Sequence, residues 1–195
     1  MMQTVCYKSY PAPPFDTQSI LRYARCKDAD ENVLSLLQAC INEVQDTLVY
    51  KVCYAEFPLS VDDGIIDLSF TKIDSKMLQT ALSGCKTCIL FAATVGLEPD
   101  RLIAKYSRIS PAKALMLQAI GTERIESLCD LFCADMQQGG RQVKPRVSPG
   151  YGDLPLEIQR EIFAVLDCPR KIGVSLNERL LMVPTKSVTA FIGVF

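Results

Sequence analysis

Arg146-Val147-Ser148-Pro149-Gly150-Tyr151 sets a fixed cation, a rigid turn and an aromatic hydroxyl within six residues. Pro149 fixes its own φ and biases Ser148 toward extended backbone, while Gly150 tolerates a positive φ or the close approach of a ligand. Arginine presents a planar fork of donors that suits a carboxylate, and tyrosine offers an apolar ring with a polar tip. Arg146 and Tyr151 flanking one concavity would form a clamp for an amino acid or a nucleoside-like ligand. The same residues also describe an ordinary Pro-Gly turn with a surface arginine and a half-buried tyrosine, and the surrounding sequence has to decide between the two.

Upstream, Ser110-Pro111 has the N-cap and first-turn signature of a helix that runs to about Met136 and stops at Gly139-Gly140. Leu115, Leu117, Ile120, Ile125, Leu128 and Phe132 recur in it and predict burial over much of its circumference. Gly121 predicts a break or bend, because glycine weakens a helix by about 1 kcal/mol relative to alanine. Glu126 sits among the apolar positions, so its carboxylate either faces solvent or meets a cation or a ligand amine.

Residues 88–93 are the most apolar stretch and predict a central strand. Residues 48–57 predict another, stopped by Pro58, and residues 65–70, after the turn at Asp62-Asp63-Gly64, a third that is its hairpin partner or near neighbour. Residues 1–14, ending Tyr10-Pro11-Ala12-Pro13-Pro14, read as an extended arm laid on the surface. Helices are predicted after Asp16 or Thr17, from about Asp30, and from Ser75 to Leu82. Downstream, a helix over 156–166 is ended by Cys168-Pro169, and short strands follow at 172–176, 180–183 and 187–194. The order of elements predicts one α+β domain over 1–195, with a mainly antiparallel sheet and segregated helices.

Composition narrows the function. The formal net charge of -1 gives no footprint for nucleic acid or an anionic membrane. The longest apolar run, residues 88–97, is too short to span a bilayer, and no signal-like core opens the chain, so a cytoplasmic protein is expected. Nine cysteines are an odd number, read as reduced packing thiols. Cys85-Lys86-Thr87-Cys88 stands without a second such pair and without any histidine in the chain, so no metal site is expected. The absence of histidine also removes histidine-based nucleophile activation and general-base catalysis, and no catalytic residue is assigned.

Arg146-x-x-Pro149-Gly150-Tyr151, Pro155 and the closing segment Leu181-Met182-Val183-Pro184-Thr185-Lys186-Ser187-Val188-Thr189 together resemble the activation (reactivation) domain of vitamin B12-dependent methionine synthase, in a stand-alone form. The resemblance implies that fold and an accessory role in a cobalamin-dependent methyltransferase system of methionine biosynthesis. S-adenosylmethionine would be bound and its methyl group presented to an oxidised corrinoid. The implied partners are a corrinoid-binding methionine synthase subunit, which holds the cobalamin, and a flavodoxin-like electron donor. It also implies that Arg146 meets the ligand carboxylate, that the backbone of Ser148, Pro149 and Gly150 approaches the adenosyl portion, that Tyr151 lies near the sulfonium, and that Glu126 offers negative charge. Gly152-Asp153-Leu154 stand where the family has Pro-Ala-Cys, no counterpart of its N-terminal ligand-binding aspartate is placed, and the family continues past the closing segment with a tyrosine pair. A corrinoid-protein docking module that has lost S-adenosylmethionine binding is the alternative, and a cysteine-based metal or redox protein a third reading.

Overall fold

The apolar run becomes β6 (Thr87–Thr94), whose side chains divide with a period of two between two cores. Cys88, Leu90 and Ala92 point to one face and Ile89, Phe91 and Ala93 to the other. This computed structural model describes residues 3–26 and 28–195. β6 lies between β2 (Lys51–Pro58) and β9 (Ser187–Val194), and β1 (Cys6–Ser9) completes the order β1-β2-β6-β9, antiparallel throughout. Part of the expected arm is thus an edge strand, in register from Cys6 opposite Tyr54 to Ser9 opposite Lys51. Met1 and Met2 of that arm lie outside the described residues.

The strand expected at 65–70 does not pair with β2. β4 (Ile65–Asp67) joins β3 (Ser60–Asp62) and β5 (Lys72–Asp74) in a separate three-stranded sheet. Both edges of β2 are already taken by β1 and β6, so a strand following Pro58 has to pair elsewhere.

α5 (Pro111–Met136) runs unbroken for 26 residues, and the bend expected at Gly121 is absent. Gly121 instead makes room for Lys186: a Cβ there would lie 2.9 Å from Lys186 Cε. The first half of α5 packs with α1 (Thr17–Tyr23), α2 (Glu31–Val44) and α4 (Glu98–Tyr106), and its second half lays Ile125, Leu128, Cys129 and Phe132 on the sheet. Leu115, expected to be buried, is exposed. The opposite sheet face is covered by α3 (Lys76–Leu82), α6 (Gln159–Leu166) and α7 (Cys168–Ile172). Cys168-Pro169 opens α7 as well as ending α6, because Asp167 turns the chain with φ 50° and Pro169 fits the first turn that follows. β7 (Ser175–Leu176) and β8 (Met182–Val183) form a small hairpin before β9.

An internal ion pair anchors the arm. Arg124, fully buried, donates to the Glu123 carboxylate and to the carbonyls of Pro13 and Pro14, with its guanidinium 3.9 Å from the centroid of the Phe15 ring. The buried charge is tolerated because the guanidinium and carboxylate neutralise each other and their remaining groups are hydrogen-bonded, Glu123 also accepting from Ser127 Oγ at 2.6 Å. All nine cysteines are free, and burial pushes the Cys88 thiol up to about 12. Among the described residues no cluster of three or more histidine, cysteine or acidic side chains could hold a metal ion, and no helix is long and apolar enough to cross a membrane.

Candidate functional site

Backbone pairing on the outer edge of β9 positions the clamp. Lys144 N donates to Gly193 O (2.9 Å), and Val147 exchanges hydrogen bonds with Phe191 (3.0 and 2.8 Å), so the strand-like approach to the turn is fixed. The turn closes through Gly150 N to Leu154 O (2.9 Å) and Leu154 N to Tyr151 O (3.0 Å). Gly150 sits at φ +89°, a left-handed conformation that side chains rarely adopt.

Gly152 and Asp153, two of the three residues that depart from the resembled pattern, fasten this turn to α3. Gly152, at φ +57°, lies so close to Met77 that a Cβ would be 2.7 Å from its sulfur. Asp153 accepts from Ser75 Oγ (2.6 Å), Lys76 N (2.8 Å) and Met77 N (3.1 Å), capping α3 from outside. The Ser75 hydroxyl and these amides hold its carboxyl below the ordinary aspartate range.

Arg146 reaches α5. Its Nη2 donates to Glu126 Oε2 at 2.7 Å and to Asp130 Oδ1 at 3.1 Å. Burial disfavours the cation, but the hydrogen bond and charge of Glu126, aided by Asp130, outweigh it and raise the guanidinium pKa. The trio leaves one net negative charge.

Glu126, Arg146, Ser148, Pro149 and Tyr151 line a pocket of about 400 Å³, which Leu156, Gln159, Thr189 and the segment around Leu181 complete. That volume lies in the usual range for ligand pockets, roughly 300–1,000 Å³. Gly150 shapes the turn without lining the pocket. A second groove of about 580 Å³ shares Arg146, Ser148 and Tyr151 and is continued by Met77, Asp130, Cys133 and Lys144. Tyr151 is 64% exposed at the junction of the two.

The closing segment is held by its hydroxyls and by a backbone amide. Thr189 Oγ1 donates to Gln159 Oε1 (2.9 Å), the Ser187 hydroxyl bonds that of Thr94 (2.9 Å), and Thr185 N donates to Asp100 Oδ2 (2.7 Å). The sequence reading missed Asp130 and Gln159. Asp130 was detectable as the acid one helical turn beyond Glu126, whereas nothing local distinguishes Gln159.

A four-stranded antiparallel sheet covered by helices on both faces, with an Arg-Pro-Gly-Tyr turn on its edge, defines an α+β protein of the reactivation-domain fold. No protein-family model matches the chain, and no curated protein matches it. Among solved structures it is similar to the crystal structure of the MetH reactivation domain bound to AdoHcy, with a TM-score of 0.68 and 14% identity over 97% of this chain and 78% of that one. The likeness is one of fold, and the fold is the one that the sequence resemblance implied.

Proposed function

We propose that this chain is a stand-alone, cytoplasmic reactivation subunit that binds S-adenosylmethionine and presents its methyl group to an oxidised corrinoid carried by a methionine synthase subunit. The observation that carries the reading is the convergence of Arg146 and Glu126 on one pocket of about 400 Å³ beside the Ser148–Tyr151 turn. The fit is one of charge. The ligand's carboxylate pairs with the Arg146 fork and its ammonium with Glu126, two intermolecular pairs in place of contacts that Arg146 makes with Glu126 and Asp130 in the free chain. The cationic sulfonium lies against the Tyr151 ring, where its charge is attracted by the π face. The backbone from Ser148 to Gly150 takes the adenosyl portion.

An exposed Tyr151 suits this task, because a methyl acceptor on another polypeptide has to reach the sulfonium carbon. A corrinoid on the partner, reduced by one electron from a flavodoxin-like donor, would supply the methyl acceptor, and the C–S bond would break to leave neutral S-adenosylhomocysteine. This chain's residues bind, orient and neutralise; none acts as nucleophile or base.

The test is a reactivation assay. A cobalamin-loaded methionine synthase lacking its own reactivation domain, with its corrinoid oxidised, is mixed with this chain, S-adenosylmethionine and a reduced flavodoxin, and the corrinoid spectrum is followed. The methylated spectrum is expected to return only when this chain is present. Tight association with the corrinoid subunit without ligand binding would instead make the chain a docking module.

A further inference from the structure

We infer that Asp130 occupies, in the ligand-free chain, the place on Arg146 that the ligand's carboxylate takes, and so sets the affinity for ligands with an amino-acid end. The inference rests on the proposed ligand and deepens it. Arg146 Nη2 is shared by two acids that face different spaces: Glu126 lines the smaller pocket and Asp130 the larger groove. Their settings differ as well. The Asp130 side chain is 75% exposed and that of Glu126 is 38% exposed, so Asp130 returns to water with less change in its surroundings. Its pairing with Arg146 is also the longer, 3.1 Å against 2.7 Å.

A zwitterionic ligand needs Glu126 for its ammonium, which leaves Asp130 as the acid to be displaced. The exchange conserves charge on the guanidinium: one carboxylate leaves for solvent and another arrives. Arg146 itself moves little, because its backbone is held between Lys144 and Val147, both hydrogen-bonded to β9.

Calorimetric titration of wild type, Asp130→Asn and Asp130→Ala tests this with two probes. S-adenosylhomocysteine has no net charge, so loss of an acid leaves its overall attraction to the site little altered. Methylthioadenosine keeps the nucleoside and thioether but lacks the amino-acid end. Removing an exposed competing ion pair is expected to tighten S-adenosylhomocysteine about two- to fivefold, with the alanine variant gaining at least as much as the asparagine, and to leave methylthioadenosine unchanged. Unaltered S-adenosylhomocysteine affinity, or an equal gain for methylthioadenosine, would overturn the inference while sparing the site. Weaker binding would overturn it too, placing the ligand's ammonium on Asp130 in the larger groove. Failure of all three proteins to bind S-adenosylhomocysteine and S-adenosylmethionine would remove the ligand reading, and the inference with it.

Discussion

Gly121 and Lys186 lie 65 positions apart and explain each other. Three successive stem carbons of Lys186 would stand 2.9, 3.0 and 3.1 Å from a Cβ at Gly121, and the lysine amine donates to Thr122 Oγ1 at 3.0 Å. Burial pushes that amine's pKa below the usual lysine range. Gly121→Ala gains about 1 kcal/mol of helix propensity yet crowds a stem that cannot retreat as a free end would, at a typical cost of about 1–3 kcal/mol. Urea denaturation is therefore expected to show Gly121→Ala less stable than wild type, with Lys186→Ala added to it restoring part of the loss. An alanine that stabilises the chain on its own would show that the contact does not constrain Gly121. This residue also shows why no bend forms where the sequence predicts one: helix propensity is local, whereas the cause of the glycine lies in the segment leading into β9. Arg146, Pro149 and Tyr151 were legible because their chemistry is carried within six residues of sequence.

Between elements, capping and periodicity were the legible signals. Asp16, Asp30 and Ser75 cap α1, α2 and α3, where the sequence placed helix starts at Asp16 or Thr17, at about Asp30 and at Ser75, and β6 is interior in the sheet. Strand partners were less legible, since nothing in residues 65–67 states that both edges of β2 are occupied. The joint between helices was invisible too: Glu43 of α2 pairs with Lys113 of α5 and Lys105 of α4, and accepts from Tyr106 Oη at 2.8 Å. Lys113 above all, then Tyr106 and Lys105, lower the Glu43 pKa to about 2 from an ordinary 4.5. A carboxyl depressed by folding stabilises the native state above its unfolded pKa and loses that contribution as pH falls through the folded one. Melting temperatures measured from pH 4.5 down to about 2 are expected to fall more steeply in wild type than in Glu43→Gln, which starts less stable at neutrality. Parallel acid limbs would remove Glu43 from the joint.

Over the whole molecule, the sheet is buried on both faces while its β9 edge supports the clamp, so the rigid core and the exposed pocket share one strand. The arm is tied to α5 by Arg124, two residues before Glu126, which links the N-terminal segment to the helix that carries the site. That arrangement suits the proposed task of holding a ligand still for chemistry performed elsewhere. The proposed function turns on ligand binding at Arg146, and calorimetric titration of S-adenosylmethionine into wild type, Arg146→Ala and Arg146→Lys tests it most directly. Binding by wild type is expected, with a loss of about 1.5–3 kcal/mol, or roughly 10- to 150-fold, for alanine, and only partial recovery for lysine, which restores the charge without the fork. No binding by wild type near about 1 mM ligand, the weak end of specific affinities, or equal binding by all three proteins, would contradict it.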